Sequence, residues 1–422
     1  MTPENQKRYD EKLRRLTDAL ELREPDRVPI DADGGKFMIN YAGYQMKDAI
    51  YDTSMEIYRE ASIKFLKDFD PDMVSKSGAN FYGEGPGHAL SQSKNMIIAG
   101  MPGAKIDDDS LHQHVEFPTL LDDEFDEFFS DRTGWRIHKF LPRVYGALES
   151  FQNLNLGFDF GAGVGLAMEF TKPEVRKSIE TLMEMGDFYR KQRARFGEIV
   201  QELIDMGYPD LAGGGAAEVP FDNYSDNYRG TLKSLSDLYI YEEEVERYTE
   251  EFHARQLERI RNMNKDGSKT GQYISHMLHK GLDGFMSDEH YEKFYWRHMR
   301  EMMQAEIDAG LIPMMFCEGK YNSRLKYLKD SPKGRILFRF ETIDMPLAKQ
   351  ELKGVACLGG GFPSQLLQFG SKQEVIDTCK RFLDEAMPGG GYIFRPSAGL
   401  DGGKIDNVIA MFETVKEYGR YH

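Results

Sequence analysis

This sequence of 422 residues is poor in cysteine, with three, and in tryptophan, with two. Three thiols cannot build a disulfide framework for a chain of this length. No run approaches the ~18 uninterrupted apolar residues of a membrane span, so no membrane association is expected. Positive charge is also short: Lys+Arg total 54 against 70 Asp+Glu, and 54 − 70 = −16. Nucleic-acid binding needs a basic surface, and that balance argues against it. The first eight residues, MTPENQKR, show no apolar core of a secretory signal, and a soluble, cytoplasmic protein is expected. What is present suits a packed interior, with 40% hydrophobic and 12% aromatic residues.

A rhythm runs along the chain: a short apolar strand, a Gly-rich or polar turn, then an amphipathic helix. Thr2 and Pro3 open a first helix carrying Leu13, Leu16 and Leu20 at helical spacing. Residues 27–35 read as a buried strand ending in Asp31, Asp33 and glycines. Further strands are predicted over 271–280, 311–317, 334–344, 354–358 and 391–394. Helices are predicted from Thr171 to about Met206, over 242–263, over 371–387 with a Ser371–Glu374 capping box, and over 406–418. The middle, from about Asn80 to Gly230, is harder to read, and 112–141 resembles an irregular acidic, aromatic insertion. Five strand–helix units in the second half and at least two in the first predict an α/β fold. The expected arrangement is a (β/α)8 TIM barrel, one domain over 1–422, with an N-terminal helical extension and insertions. No Gly-x-Gly-x-x-Gly opens a helix after the first strand, which disfavours a dinucleotide-binding sheet.

Barrel enzymes place their chemistry at the C-terminal ends of the strands. That rule selects Asp31, Asp33, His276, His279, Cys317, Glu318, Asp344, Cys357 and Arg395. Cys317 and Cys357 are 40 residues apart, too far for a zinc ribbon but compatible with two strand ends sharing one catalytic Zn2+. The plain alternative is that both thiols are buried small hydrophobes. Either His279 or Glu289 would serve as third ligand, with Asp288 behind them, although Glu289 also suits the first turn of a Ser287-capped helix. Cys379 lies on the apolar stripe of the 371–387 helix and reads as core. His112 and His114 form a His-x-His with no acidic or Cys residue at a recognisable metal-ligand offset, and His298, in a helix among Trp296, Arg297 and Arg300, reads as structural or solvated. The glycine triplets at 213–215, 359–361 and 389–391 have no following Lys-Ser/Thr and read as turns.

Residues 23–30 (REPDRVPI), 361–367 (GFPSQLL), 389–393 (GGGYI), 407–411 (NVIAM) and 417–419 (EYG) resemble the uroporphyrinogen decarboxylase-like superfamily. The resemblance spans nearly the whole chain and implies a single (β/α)8 barrel. Within the superfamily, Glu289-x27-Cys317-x39-Cys357 is similar to the metal-ligand pattern of methyltransferase I components of corrinoid-dependent aryl methyl ether O-demethylases. The thiol-methyltransferase branch carries His-x-Cys and a late Cys, where this chain has Met315 and Arg395-Pro396-Ser397. A Glu-x14-Glu-x20-His pattern also fits Glu243, Glu258 and His279. Fifteen helical residues would hold those carboxylates about 22 Å apart, too far to share an ion.

The resemblance therefore implies Zn2+ on Glu289, Cys317 and Cys357, and cobalamin arriving on a partner corrinoid protein. The substrate it implies is a small methylated, aromatic compound; a homodimer is compatible with it. His279 and Glu318 would act in catalysis, while Asp33, Tyr321, Asp344 and Arg395 would contact substrate. The alternative within the superfamily is a metal-free decarboxylase or lyase using acids such as Asp33 and Asp344. Asp31, Asp33 and Lys36 stand where an arginine cluster would hold a polyanionic tetrapyrrole, which disfavours that substrate.

Overall fold

A computed structural model of the chain describes residues 1–74, 81–157 and 163–422. Its centre is a parallel sheet of six strands in chain order. They are β1 (Gly215–Ala216), β2 (Tyr273–Leu278), β3 (Ile312–Lys320), β4 (Leu337–Thr342), β5 (Cys357–Gly360) and β6 (Tyr392–Ile393). Backbone hydrogen bonds carry the sheet round into a ring. Beyond β6, Phe394 N donates to Pro29 O at 2.8 Å and Asp31 N to Phe394 O at 3.0 Å. Asp72 N then donates to Ile30 O and Val74 N to Pro209 O, each at 2.8 Å, and Tyr273 N donates to Leu211 O. The segments around residues 28–31 and 72–74 thus fill the two remaining positions, with residues 209–211 leading into β1, and the fold is a (β/α)8 barrel. Among the described residues, no helix is long and apolar enough to cross a membrane.

Period-2 alternation divides each strand between lumen and outer layer. Tyr273, Ile312, Met314, Leu337, Cys357 and Ile393 form one apolar cluster inside the base of the barrel, and Leu16, Ala19 and Leu20 of helix α1 (Pro3–Leu20) close it from below. The intervening residues Met315, Cys317, Phe338, Phe340, Leu358 and Tyr392 face outward into the larger core beneath the surrounding helices. Gly360 ends β5 with φ +78°, where a Cβ would collide with Phe340 O, so only glycine lets the strand end so close to its neighbour.

Most elements follow the expected rhythm: the strand over 311–317 is β3, the 371–387 helix is Lys372–Ala386 with its capping box, and the last helix is Ile405–Tyr418. The 112–141 stretch differs from expectation. Gln113–His114 pairs antiparallel with Met96–Ile97, and Phe125–Ser130, Arg132–Trp135 and a π-helical turn Arg136–Phe140 follow in close succession. Phe125, Phe128, Trp135 and Phe140 of this stretch are all buried, so its aromatic content is core rather than loop. Asn80, the expected start of the difficult region, lies outside the described residues.

Candidate active site at the barrel mouth

Two residues beyond the apolar base, the lumen becomes polar. Arg339 follows Leu337 on the inward row of β4, and Arg395 follows Ile393 at the end of β6. Both guanidiniums bond the buried Asp31 carboxylate, Arg339 through Nη2 and Arg395 through Nη1 at 3.1 Å. Arg395 Nη2 also lies 3.5 Å from Asp33 Oδ2, and its Nε is buried with no acceptor among the described residues. Asp401 stands nearby and accepts from Lys36 N at 2.7 Å. Burial, then the charge of Asp33, pushes the Asp401 carboxyl up to about 6.

The wall beside this floor is built by β2 and the turn after β1. Tyr273, Ser275 and Met277 form the inward row of β2, Met277 is half exposed in the mouth, and His279 continues the row. His279 Nδ1 lies 2.5 Å from Asp226 Oδ2, and its Nε2 lies 3.3 Å from Glu318 Oε2. Lys280 Nζ reaches the other Asp226 oxygen at 2.9 Å. Asp226 occupies the π-helical turn Ser225–Arg229 directly after helix Pro220–Tyr224, a local widening common at functional sites. The hydrogen bond that His279 Nδ1 donates to Asp226, against the opposing pull of burial, raises the imidazole to about 9. It is therefore an imidazolium at neutral pH, with Nε2 turned toward Glu318. Asp222, one helical turn before Asp226, is fully buried; burial and then the Asp226 charge push its carboxyl up to about 7.

Five of the residues selected from sequence meet here in two groups: Asp31 and Asp33 with Arg395, and His279 with Glu318. The proposed metal ligands do not meet. Cys357 is in register with Leu337 and Met314 on the inward row, whereas Cys317 is in register with Phe340 and Gly360 on the outward one. The two thiols point to opposite faces of the sheet, three residues apart along it, roughly 10 Å. Glu289 lies exposed in the first turn of helix Asp288–Tyr291, capped by Ser287. Burial raises both thiols, Cys357 to about 12 and Cys317 well above its ordinary value, as expected of apolar core positions. Among the described residues, no group of three or more His, Cys, Asp and Glu is placed to hold a metal ion. The set Glu289, Cys317 and Cys357 does not fit a zinc ion as arranged.

Two substrate candidates are also corrected. Tyr321 is fully buried on the outer side, its hydroxyl donating to Leu278 O at 3.2 Å. Asp344 is an N-cap, its carboxylate accepting from Leu347 N at 3.0 Å at the start of helix Met345–Glu351. In their place the structure brings Arg339, Asp222, Asp226, Lys280 and Asp401 to the mouth. Three of these had a sequence signal: Leu337-x-Arg339-x-Glu341 alternates as an inward row should, and Asp222 and Asp226 share a helical face directly after a glycine-rich strand.

A barrel with a charged mouth and an apolar, plugged base is the architecture of an enzyme of the TIM-barrel class. The chain belongs to the uroporphyrinogen decarboxylase (URO-D) family, whose model matches residues 148–418. Among solved structures it is similar to a methyltransferase from Methanosarcina mazei, covering 96% of this chain and 98% of that one at TM-score 0.58 and 15% sequence identity. At that identity the likeness speaks to the fold. No curated protein matches by sequence.

Proposed function

We propose that this chain is a methyltransferase that takes the methyl group of a small methylated substrate, an aryl methyl ether, and passes it to the cobalamin of a partner corrinoid protein. The observation that carries the reading is the His279 ring, held at the mouth by Asp226 at 2.5 Å in an arrangement that favours the imidazolium. A phenolate leaves an ether reluctantly, and a positioned acid contributes typically 10²–10⁴-fold to such a departure. As the methyl carbon–oxygen bond breaks, the leaving oxygen takes the Nε2 proton of His279, giving a phenol and a neutral imidazole. Glu318, half exposed beside Nε2, relays the proton that restores the acid. Arg339, Arg395 and Asp33 on the floor orient the ring's polar substituents. The partner's corrinoid supplies the nucleophile that accepts the methyl group. No step is assigned to zinc, because its candidate ligands are held apart.

A second reading, decarboxylation, is favoured by the two guanidiniums on the floor, which would hold a carboxylate while His279 protonates the carbanion. Incubating the full chain with cob(I)alamin and methoxylated aromatics separates the two. Methyl transfer produces the spectrum of methylcob(III)alamin, lost in His279→Gln. Release of CO2 from aromatic or tetrapyrrole acids with no methylated cobalamin would replace the first reading by the second.

A further inference from the structure

Asp222 is used by no step above, yet it is fully buried against the residues that carry the acid. Its Oδ1 accepts from Lys280 N at 2.8 Å, and its Oδ2 accepts from His279 N at 3.3 Å and from Tyr295 Oη at 2.6 Å. Asp226, one turn further along, takes the side chains of the same dipeptide: His279 Nδ1 and Lys280 Nζ. Two carboxylates on one helical face thus grip His279-Lys280 at two levels, Asp222 by the backbone and Asp226 by the side chains. Backbone N–H groups at a strand end have no ladder partner of their own, and a buried acceptor there fixes the direction in which the next side chain projects.

We infer that Asp222 is a positioning residue that sets where the His279 imidazolium points and how firmly Asp226 holds it. The inference rests on the reading of His279 as the acid. The charged groups facing that ring are Asp226 and Asp222 from the turn after β1, Glu318 from β3, and Lys280 beside it. Replacing Asp222 removes one negative neighbour, which favours the neutral imidazole, and frees the backbone, which loosens the His279–Asp226 bond.

The test is Asp222→Asn in the full chain, read by NMR titration of the His279 ring and by steady-state kinetics. The expected result is a His279 midpoint at least half a pH unit lower, with kcat down tenfold or more and KM within twofold. Tyr295→Phe removes a single donor to Asp222 and is expected to move the midpoint in the same direction by less; it serves where Asp222→Asn does not fold. A folded Asp222→Asn with an unmoved His279 midpoint and unchanged kcat overturns the inference, as does a loss of thermal stability alone. The titration is independent of turnover: absence of methyl transfer in the wild type sinks the functional reading, while the midpoint shift still decides the role of Asp222.

Discussion

At the scale of single residues, the charge of His279 governs what the mouth can donate. Its folded pKa, about 9, lies above the ordinary 6.5. The stabilisation from its bond to Asp226 is therefore fully present below pH 6.5 and is lost as pH rises through about 9. The same limb bounds the supply of acid, so kcat/KM is expected to fall above about pH 9. In Asp226→Asn the limb should move down by a unit or more, as a pH–rate profile would show; a profile that keeps its limb in that variant would remove Asp226 from its role. The cysteines give the converse expectation. Cys317 and Cys357 are both fully buried in apolar clusters on opposite faces. Each change to Ala is expected to cost about 1–2 kcal/mol in urea unfolding and to leave turnover within twofold. A collapse of activity in a stably folded Cys→Ala variant would restore the thiols to the chemistry.

At the scale of elements, the joint between helix α1 and the first barrel strands depends on one buried carboxylate. Asp72 accepts from Ile30 N at 2.7 Å, from both Arg27 terminal nitrogens at 2.7 and 2.9 Å, and from Arg15 Nη1 at 2.5 Å. Removing it would take this acceptor from a backbone donor and from two guanidiniums, of which Arg15 keeps Asp26 and Arg27 keeps Val28 O. Asp72→Ala is expected to destabilise the fold by about 3–5 kcal/mol, measured by denaturant unfolding; a change below about 1 kcal/mol would show that solvent replaces it readily. Elements of this kind were legible in the sequence, because strand, turn and helix chemistry is local. The 311–317 strand and the Ser371 capping box lie close to where their residues put them. What could not be read was register. A spacing of 40 residues between cysteines counts chain, not direction, and a three-residue offset along paired strands turns one thiol inward and the other outward. The aromatic 112–141 stretch was opaque for a related reason: its rings are buried by contacts with distant helices, including Tyr228 and Tyr248.

At the scale of the whole molecule, the barrel is open to chemistry at one end and sealed at the other. The seal belongs to the first helix: Leu16, Ala19 and Leu20 are at most 3% exposed and pack against the lumen residues Tyr273, Ile312, Leu337 and Cys357. That layer is the floor on which Arg339, Arg395 and Asp31 stand, so the base and the mouth share one column of inward-facing residues. Lys12 adds a second tie, with Nζ bonded to Asp70 Oδ1 at 2.8 Å and to Pro71 O at 2.6 Å next to the Asp72 joint. Removing residues 1–20 would open the lumen base to water and strip these partners together. Two buried leucines alone account for at least about 5 kcal/mol at the usual cost of a large-to-small core change. The truncated chain is therefore expected to lose its cooperative calorimetric transition, or to melt far lower, and to lose substrate binding at the opposite end with it. If it instead kept the full-length melting temperature and bound substrate normally, α1 would be an appendage, and the polar floor would have to be held in place by the strands alone.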